Sequence, residues 1–171
     1  MPKPFVILGA ARQGGETRRA VDIAFPNGLI DLTILSEHHV GGYDYAHSNA
    51  DDGFPAIVEG MLAAKTIVFA TPVYWYAMSA PMKIFFDRLT DLLETSKEKG
   101  RRMAGKDIWM IASGTEVALP EGFEVPFFRT AQYFDSSYRG AGYLYTGDNP
   151  EPRQCSEAAL AAFGQKVLAG L

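Results

Sequence analysis

A chain of 171 residues, 47% hydrophobic and 21% charged, has the size and composition of one globular domain, residues 1–171, with one sizeable core. A formal charge of −4 and no basic stripe with interleaved aromatics argue against a nucleic-acid partner, and no apolar run approaches the roughly 20 residues of a membrane span. The amino terminus enters a short strand instead of a signal-peptide core, and Cys155 is the single cysteine. An intrachain disulfide and a cysteine-held iron–sulfur cluster are therefore excluded, no membrane partner is expected, and the expected location is cytoplasmic.

In chain order, residues 4–8 form the first buried-strand candidate. They run into a Gly-rich turn, residues 9–17, before helical patterning begins at Arg18. A strand, such a turn and a helix start make an anion site. Backbone N–H groups point at the ligand, and Arg12 and the Thr17 hydroxyl can add charge and a hydrogen bond. The turn lacks the Lys of a GxxxxGK[ST] loop and the spacing of GxGxxG, which weighs against nucleoside triphosphate and dinucleotide readings. A turn that binds nothing is the plain alternative.

The first helix is expected to stop near Pro26, and residues 29–35 read as a second, more polar strand at a sheet edge. A loop without periodicity follows over residues 36–45, and residues 49–55 mark the next helix start. The spacing of His38, His39, His47, Asp44, Asp51 and Asp52 does not support a metal site, because neighbouring His residues point apart and Asp51 and Asp52 suit a helix N-terminus.

Residues 66–70 are an apolar, partly β-branched third strand, ended by Thr71 and Pro72. A loop with three aromatics, Tyr74, Trp75 and Tyr76, leads to Ser79 as N-cap and Pro81 in the first turn of a helix. Met82, Phe85, Phe86, Leu89, Leu92 and Leu93 share its apolar face, with Lys83, Asp87, Arg88 and Asp91 off it. Residues 94–106 read as a charged surface segment, residues 107–112 as the fourth strand opening onto a loop at Ser113, Gly114 and Thr115, and the second half of 121–134 as helix. Residues 142–146 give the fifth strand, and a last helix runs from Ser156 to about Leu168, with Cys155 packed near its start.

This βα alternation predicts a doubly wound α/β domain with helices on both faces of a five-stranded parallel sheet. In the order 2-1-3-4-5 the sheet reverses between the first and third strands, which brings the 9–17 loop beside the 71–76 loop. One suits a phosphate and the other a flat ring. A ligand with both parts is flavin mononucleotide.

The run Thr71, Pro72, Val73, Tyr74, Trp75, Tyr76, with Ser79 to Lys83 and Phe86-Asp87-Arg88, resembles the signature of the flavodoxin-like NAD(P)H-dependent FMN reductase and quinone reductase family. The likeness extends over nearly the whole chain. It implies a flavodoxin-like fold and FMN and NAD(P)H as cofactors. Electrons would pass from the nicotinamide through FMN to a small-molecule quinone, flavin, nitro or azo acceptor. It further implies that Pro72, Val73, Tyr74 and Trp75 line the ring, with Tyr76 in the same loop. Arg12, Gly14, Gly15, Glu16 and Thr17 would hold the phosphate, and Ser113, Gly114 and Thr115 form a third flavin loop. Family members usually form dimers with the flavin near the interface, so a homodimer is expected. Gly41, Gly42 and Tyr43 stand where iron–sulfur members carry cysteines, so the chain resembles the cluster-free branch.

Ala10 replaces the family's usual Ser, and Glu16 its usual Asn. The first change removes a phosphate donor and the second places a carboxylate beside a dianion. If Glu16 faces the phosphate, Glu16→Asn tightens FMN binding several-fold; if it turns to solvent and pairs with Arg19, affinity is unchanged. Asp87 and Arg88 read as structural braces, and no catalytic acid or base is nominated. Two readings compete with the reductase: a flavodoxin-type electron carrier, and a binding or regulatory module that has lost FMN.

Overall fold

The central strands are apolar on both faces, and that forces helices onto both sides of the sheet. In the computed structural model, which describes residues 3–12 and 14–170, β1 (Phe5–Leu8) and β3 (Thr66–Pro72) are buried along their whole length. Alternation sends Val6, Leu8 and Val68 to one face, against α1 (Glu16–Ala24) and α7 (Pro150–Ala169), and Phe5, Ile7 and Phe69 to the other. The second face is covered by α2 (Phe54–Ala63), α3 (Ala80–Arg88) and α6 (Val125–Tyr133). The sheet is parallel throughout, in the order β2-β1-β3-β4-β5, with β2 (Asp31–Ile34), β4 (Asp107–Gly114) and β5 (Ser137–Tyr145) completing it. This is the expected flavodoxin-like architecture. The β–α turns after β1 and β3 meet at the carboxyl end of the sheet, where the order reverses, with the turn after β4 beside them.

Several boundaries depart from sequence expectation for local reasons. The apolar face that starts in α3 continues through Leu92, but the α-helix stops at Arg88. The chain then tightens into i→i−3 bonds, Leu89 N to Phe86 O at 3.1 Å and Leu92 N to Leu89 O at 3.0 Å, before α4 (Asp91–Glu94). Spacing alone does not separate the two geometries. The charged 94–106 segment contains a short helix, α5 (Lys97–Arg101). β5 begins five residues before its expected start because its first half carries no apolar run. Arg139 is looped out there by a β-bulge beside Gly140 at φ +127°, which guards the open edge. Helix α7 begins at Pro150, capped by Asn149, well ahead of Ser156, and Cys155 is exposed on it instead of packed. Against it, α1 approaches so closely that a Cβ on Gly164 would lie 1.7 Å from the Ala24 carbonyl.

Arg88 lies off the apolar stripe in sequence yet is 2% exposed. It is held by Asp52 (2.6 Å), Asp91 (2.7 Å) and the carbonyls of Gly41 (3.1 Å) and Asn49 (3.0 Å), with the Phe54 ring 4.7 Å away. These contacts fix the irregular 38–53 stretch to α3, so Arg88 is the expected brace. Asp87 instead pairs with Lys83 at the surface. Burial alone would raise the Asp52 carboxyl; the Phe54 and Gly41 amides and the Arg88 guanidinium outweigh it and hold the group below its ordinary range.

Removing one member of such a buried pair leaves the other charge uncompensated, so Arg88→Leu is expected to cost about 3–5 kcal/mol in urea unfolding at neutral pH. Because the folded-state Asp52 value is depressed, its contribution is complete above the ordinary carboxylate range and is lost as pH falls through the folded value. The gap between wild type and variant should therefore narrow below about pH 4. A gap that is constant down to acid pH would mean that the ion pair does not carry the effect.

Candidate functional site

Three loops converge at the carboxyl end of the sheet: residues 9–15 after β1, 73–79 after β3, and 115–124 after β4. Hydrogen bonds tie the loops to one another or to the element ends that carry them. Ser79 caps α3, accepting from Met82 N, while its hydroxyl donates to the Gly9 carbonyl and its amide donates to Thr71 Oγ1 at 3.0 Å. Val73 N donates to the Ser113 carbonyl at 2.8 Å, joining the second loop to the end of β4. The Thr17 and Ser113 hydroxyls meet at 2.8 Å, joining the first turn of α1 to the end of β4, from which the third loop springs. Thr17, Thr71, Ser79 and Ser113 are all buried, 0–3% exposed. They form a polar layer beneath the loops in which every hydroxyl has a partner, as burial requires. Gly9 is dictated by the same convergence, since a Cβ there would lie 2.8 Å from the Met82 Cβ.

Above that layer the outward groups differ by loop. Helix α1 starts after Gly15, whose lack of a side chain leaves the N-terminus without a side-chain cap, and Arg12 and Gly14 are exposed beside it. Gln13 of this loop lies outside the described residues. The second loop closes as a two-residue hairpin. Tyr74 and Ala77 exchange backbone bonds of 2.9 and 3.0 Å, and Trp75 and Tyr76 between them have φ of 49° and 63°. Two consecutive left-handed residues are the type I′ pattern, which normally selects Asn and Gly. Here Trp75 is 94% exposed. In the third loop Thr115 is exposed and Tyr143 Oη donates to the Glu116 carbonyl at 2.8 Å. Burial, then the neighbouring Glu116 and Tyr145, push the Tyr143 phenol up to about 12, so it stays a donor at neutral pH.

The structure thus gathers all the sequence-nominated positions at one end of the sheet but divides them by depth. Arg12, Gly14, Tyr74, Trp75, Tyr76 and Thr115 face outward, whereas Pro72, Thr17 and Ser113 are buried. The Thr17 and Ser113 hydroxyls are hydrogen-bonded to each other. Glu16 follows the alternative that turns it toward Arg19, at 3.4 Å, and a second arginine, Arg153 from α7, reaches both its oxygens at 3.2 and 3.4 Å. Arg153 and Tyr143 are not visible in any local motif, because each acts on a loop far away in sequence. Arg18, on the same helix, is held by Asp22 at 2.9 Å.

Residues 2–120 match the family model described as NADPH-dependent FMN reductase. The chain is 28% identical over 167 residues, 92% of each chain, to the Bacillus subtilis protein YwqN, provisionally named an NAD(P)H-dependent FMN-containing oxidoreductase. Among solved structures it resembles the Trp repressor binding protein of Bacillus subtilis (TM-score 0.71, 24% identity, 97% of both chains). It also resembles an FMN-dependent NADH-azoreductase of Bacillus anthracis in complex with FMN (TM-score 0.70, 11% identity, 96% of this chain and 99% of the other). At those identities the two structures speak for the fold.

The aromatic turn carries a cost that stability does not require: a non-glycine residue in the left-handed region loses about 1–2 kcal/mol. Such strain persists where the conformation is used. Tyr76→Gly is therefore expected to stabilise the ligand-free protein by about 1 kcal/mol in urea unfolding while weakening flavin binding. Destabilisation of the ligand-free variant would show that Tyr76 holds the loop by packing and that the turn is not strained.

Proposed function

The chain belongs to the NADPH-dependent FMN reductase family, and we propose that this FMN-dependent NAD(P)H oxidoreductase reduces a quinone by alternating use of one open flavin face. Its FMN site is formed by the three tied loops. Two observations make the residues present fit the cofactor. An uncapped helix start beside Arg12 offers N–H donors and positive charge to a phosphate, and the Tyr74–Ala77 hairpin displays aromatic planes to solvent at the same end of the sheet.

Bound FMN supplies the chemistry, accepting hydride from NAD(P)H and giving electrons to the acceptor. The chain's task is placement. Arg12 and the amides of Gly14 to Thr17 hold the phosphate; Pro72, Val73, Tyr74, Trp75 and Tyr76 bound the ring; Gly114 and Thr115, with Ser113 beneath them, close the third side. Backbone N–H groups of these loops not already bonded within the protein would be the donors to the charge that develops on reduction. The buried hydroxyl layer keeps the loops in register, so the donors are preorganised. No side-chain acid or base is assigned a proton-transfer role.

The protein acts as a single domain, and a cytoplasmic location agrees with its lone cysteine and with the described helices, none of which is long and apolar enough to cross a membrane. A homodimer accounts for a tryptophan 94% exposed and for Phe128 and Tyr133 at the surface of α6. Light scattering of the FMN complex is expected to give twice the chain mass, and Trp75→Ala to weaken both association and flavin binding; a monomer would contradict it.

The single observation that carries the reading is the mutual tying of the three loops at the point where the sheet reverses. Steady-state assays with NADPH and a quinone are expected to give parallel double-reciprocal plots, the form imposed when two substrates use one site in turn. Absence of FMN binding at micromolar concentration, or intersecting plots, would overturn the proposal.

A further inference from the structure

We infer that Arg153 sets this protein's preference for a phosphorylated flavin and that Glu16 holds it in reserve; the inference rests on the FMN reading above. Four charged residues bridge the first turn of α1 and the first two turns of α7. Arg19 is engaged by Glu157 at 2.5 Å, a bond that raises its already high proton affinity, and more loosely by Glu16 at 3.4 Å. Arg153 Nη2 lies 3.2 and 3.4 Å from the two Glu16 oxygens, and its Nε is 3.7 Å from Glu157. Glu157 thus retains Arg19, whereas the outer nitrogen Nη2 of Arg153 bonds to Glu16.

The two head groups are partly open to solvent, with side chains 34% exposed at Arg153 and 46% at Glu16. Exchange of one anion for another at the Arg153 guanidinium therefore requires no buried charge to be uncovered. Glu16 occupies the first position of α1, the turn beside which a phosphate binds. A phosphate dianion offers more charge than a carboxylate and two oxygens to a guanidinium fork, so it outcompetes Glu16 for Arg153. The charge balance agrees. Glu16 and Glu157 neutralise Arg19 and Arg153, and withdrawing Arg153 from Glu16 puts a cation on the arriving anion while Arg19 remains to hold the carboxylate.

This explains how a loop with Ala10 and Glu16 in place of a hydroxyl and an amide retains a phosphate site. It also reverses the expectation for a paired Glu16: removal of the carboxylate frees a cation. Arg153 lies beyond the segment 2–120 that matches the family model, so the family pattern does not carry it.

The test compares FMN with riboflavin, which has the same ring and no phosphate, in fluorescence-quenching titrations of four proteins: wild type, Glu16→Gln, Arg153→Gln and the double variant. Arg153→Gln is expected to weaken FMN about two- to fivefold, the range of one exposed charge at a helix terminus, and leave riboflavin unchanged. Glu16→Gln should tighten FMN by a similar factor, but only when Arg153 is present, so the double variant should match Arg153→Gln. Arg153→Lys should restore part of the FMN preference. Equal weakening of both flavins by Arg153→Gln, or a ratio indifferent to it, would overturn the inference and leave the FMN reading intact. A folded wild type that binds neither flavin would overturn both.

Discussion

Ser79 is the residue on which the ligand end of this molecule depends. Its amide is fixed by Thr71 at the end of β3, its hydroxyl by the Gly9 carbonyl at the end of β1, and it caps the helix that leaves the site. The two strands between which the sheet reverses are thereby joined to α3 through one fully buried residue. Such a group, with every hydrogen bond made, is costly to disturb, because loss of the hydroxyl strands the Gly9 acceptor in a dry environment. Gly9 has to be glycine for the same reason: α3 comes too near for a Cβ.

With that layer rigid, the loops above it can be strained and exposed without loosening the fold. Trp75 and Tyr76 adopt left-handed geometry at the tip of a hairpin whose ends are bonded to each other and, one residue earlier, to β4 through Val73. The core on the α3 face is held separately. Its Phe54, Phe69, Phe85 and Phe127 rings pack at 5.3–6.4 Å, and Arg88 closes the side where the chain is irregular. Stability therefore resides in the core and the buried pair, and the site is placed where local cost is tolerable. The small net energies of surface pairs put the Glu16, Arg19, Arg153 and Glu157 cluster in a different category: it contributes little to folding and stands at the start of α1, where we propose that the phosphate binds.

Much of this was legible in the sequence because it follows from local pattern. The buried runs at Val6 to Leu8 and Ile67 to Ala70, the Gly-rich turn and the Ser79 cap each depend on adjacent residues, and the sheet order follows from the alternation they impose. What was hidden depends on contacts made across the fold. The Thr17–Ser113 bond links residues 96 positions apart and joins the first turn of α1 to the end of β4. Arg153 reaches Glu16 over 137 positions. The burial of Arg88 needed Asp52 and Asp91 in place before a charged residue on that helix could be read as interior. The left-handed turn at Trp75 and Tyr76 was hidden for another reason, since neither residue type favours it.

The central claim is that three loops, tied beneath by buried hydroxyls, act as one FMN site. Backbone amide chemical shifts followed during FMN titration test it most directly. The account predicts that the amides of Gly14 to Thr17, Val73 to Ala77 and Gly114 to Thr115 all shift, with one common dissociation constant. Shifts confined to a single loop, or loops that titrate with different constants, would contradict it.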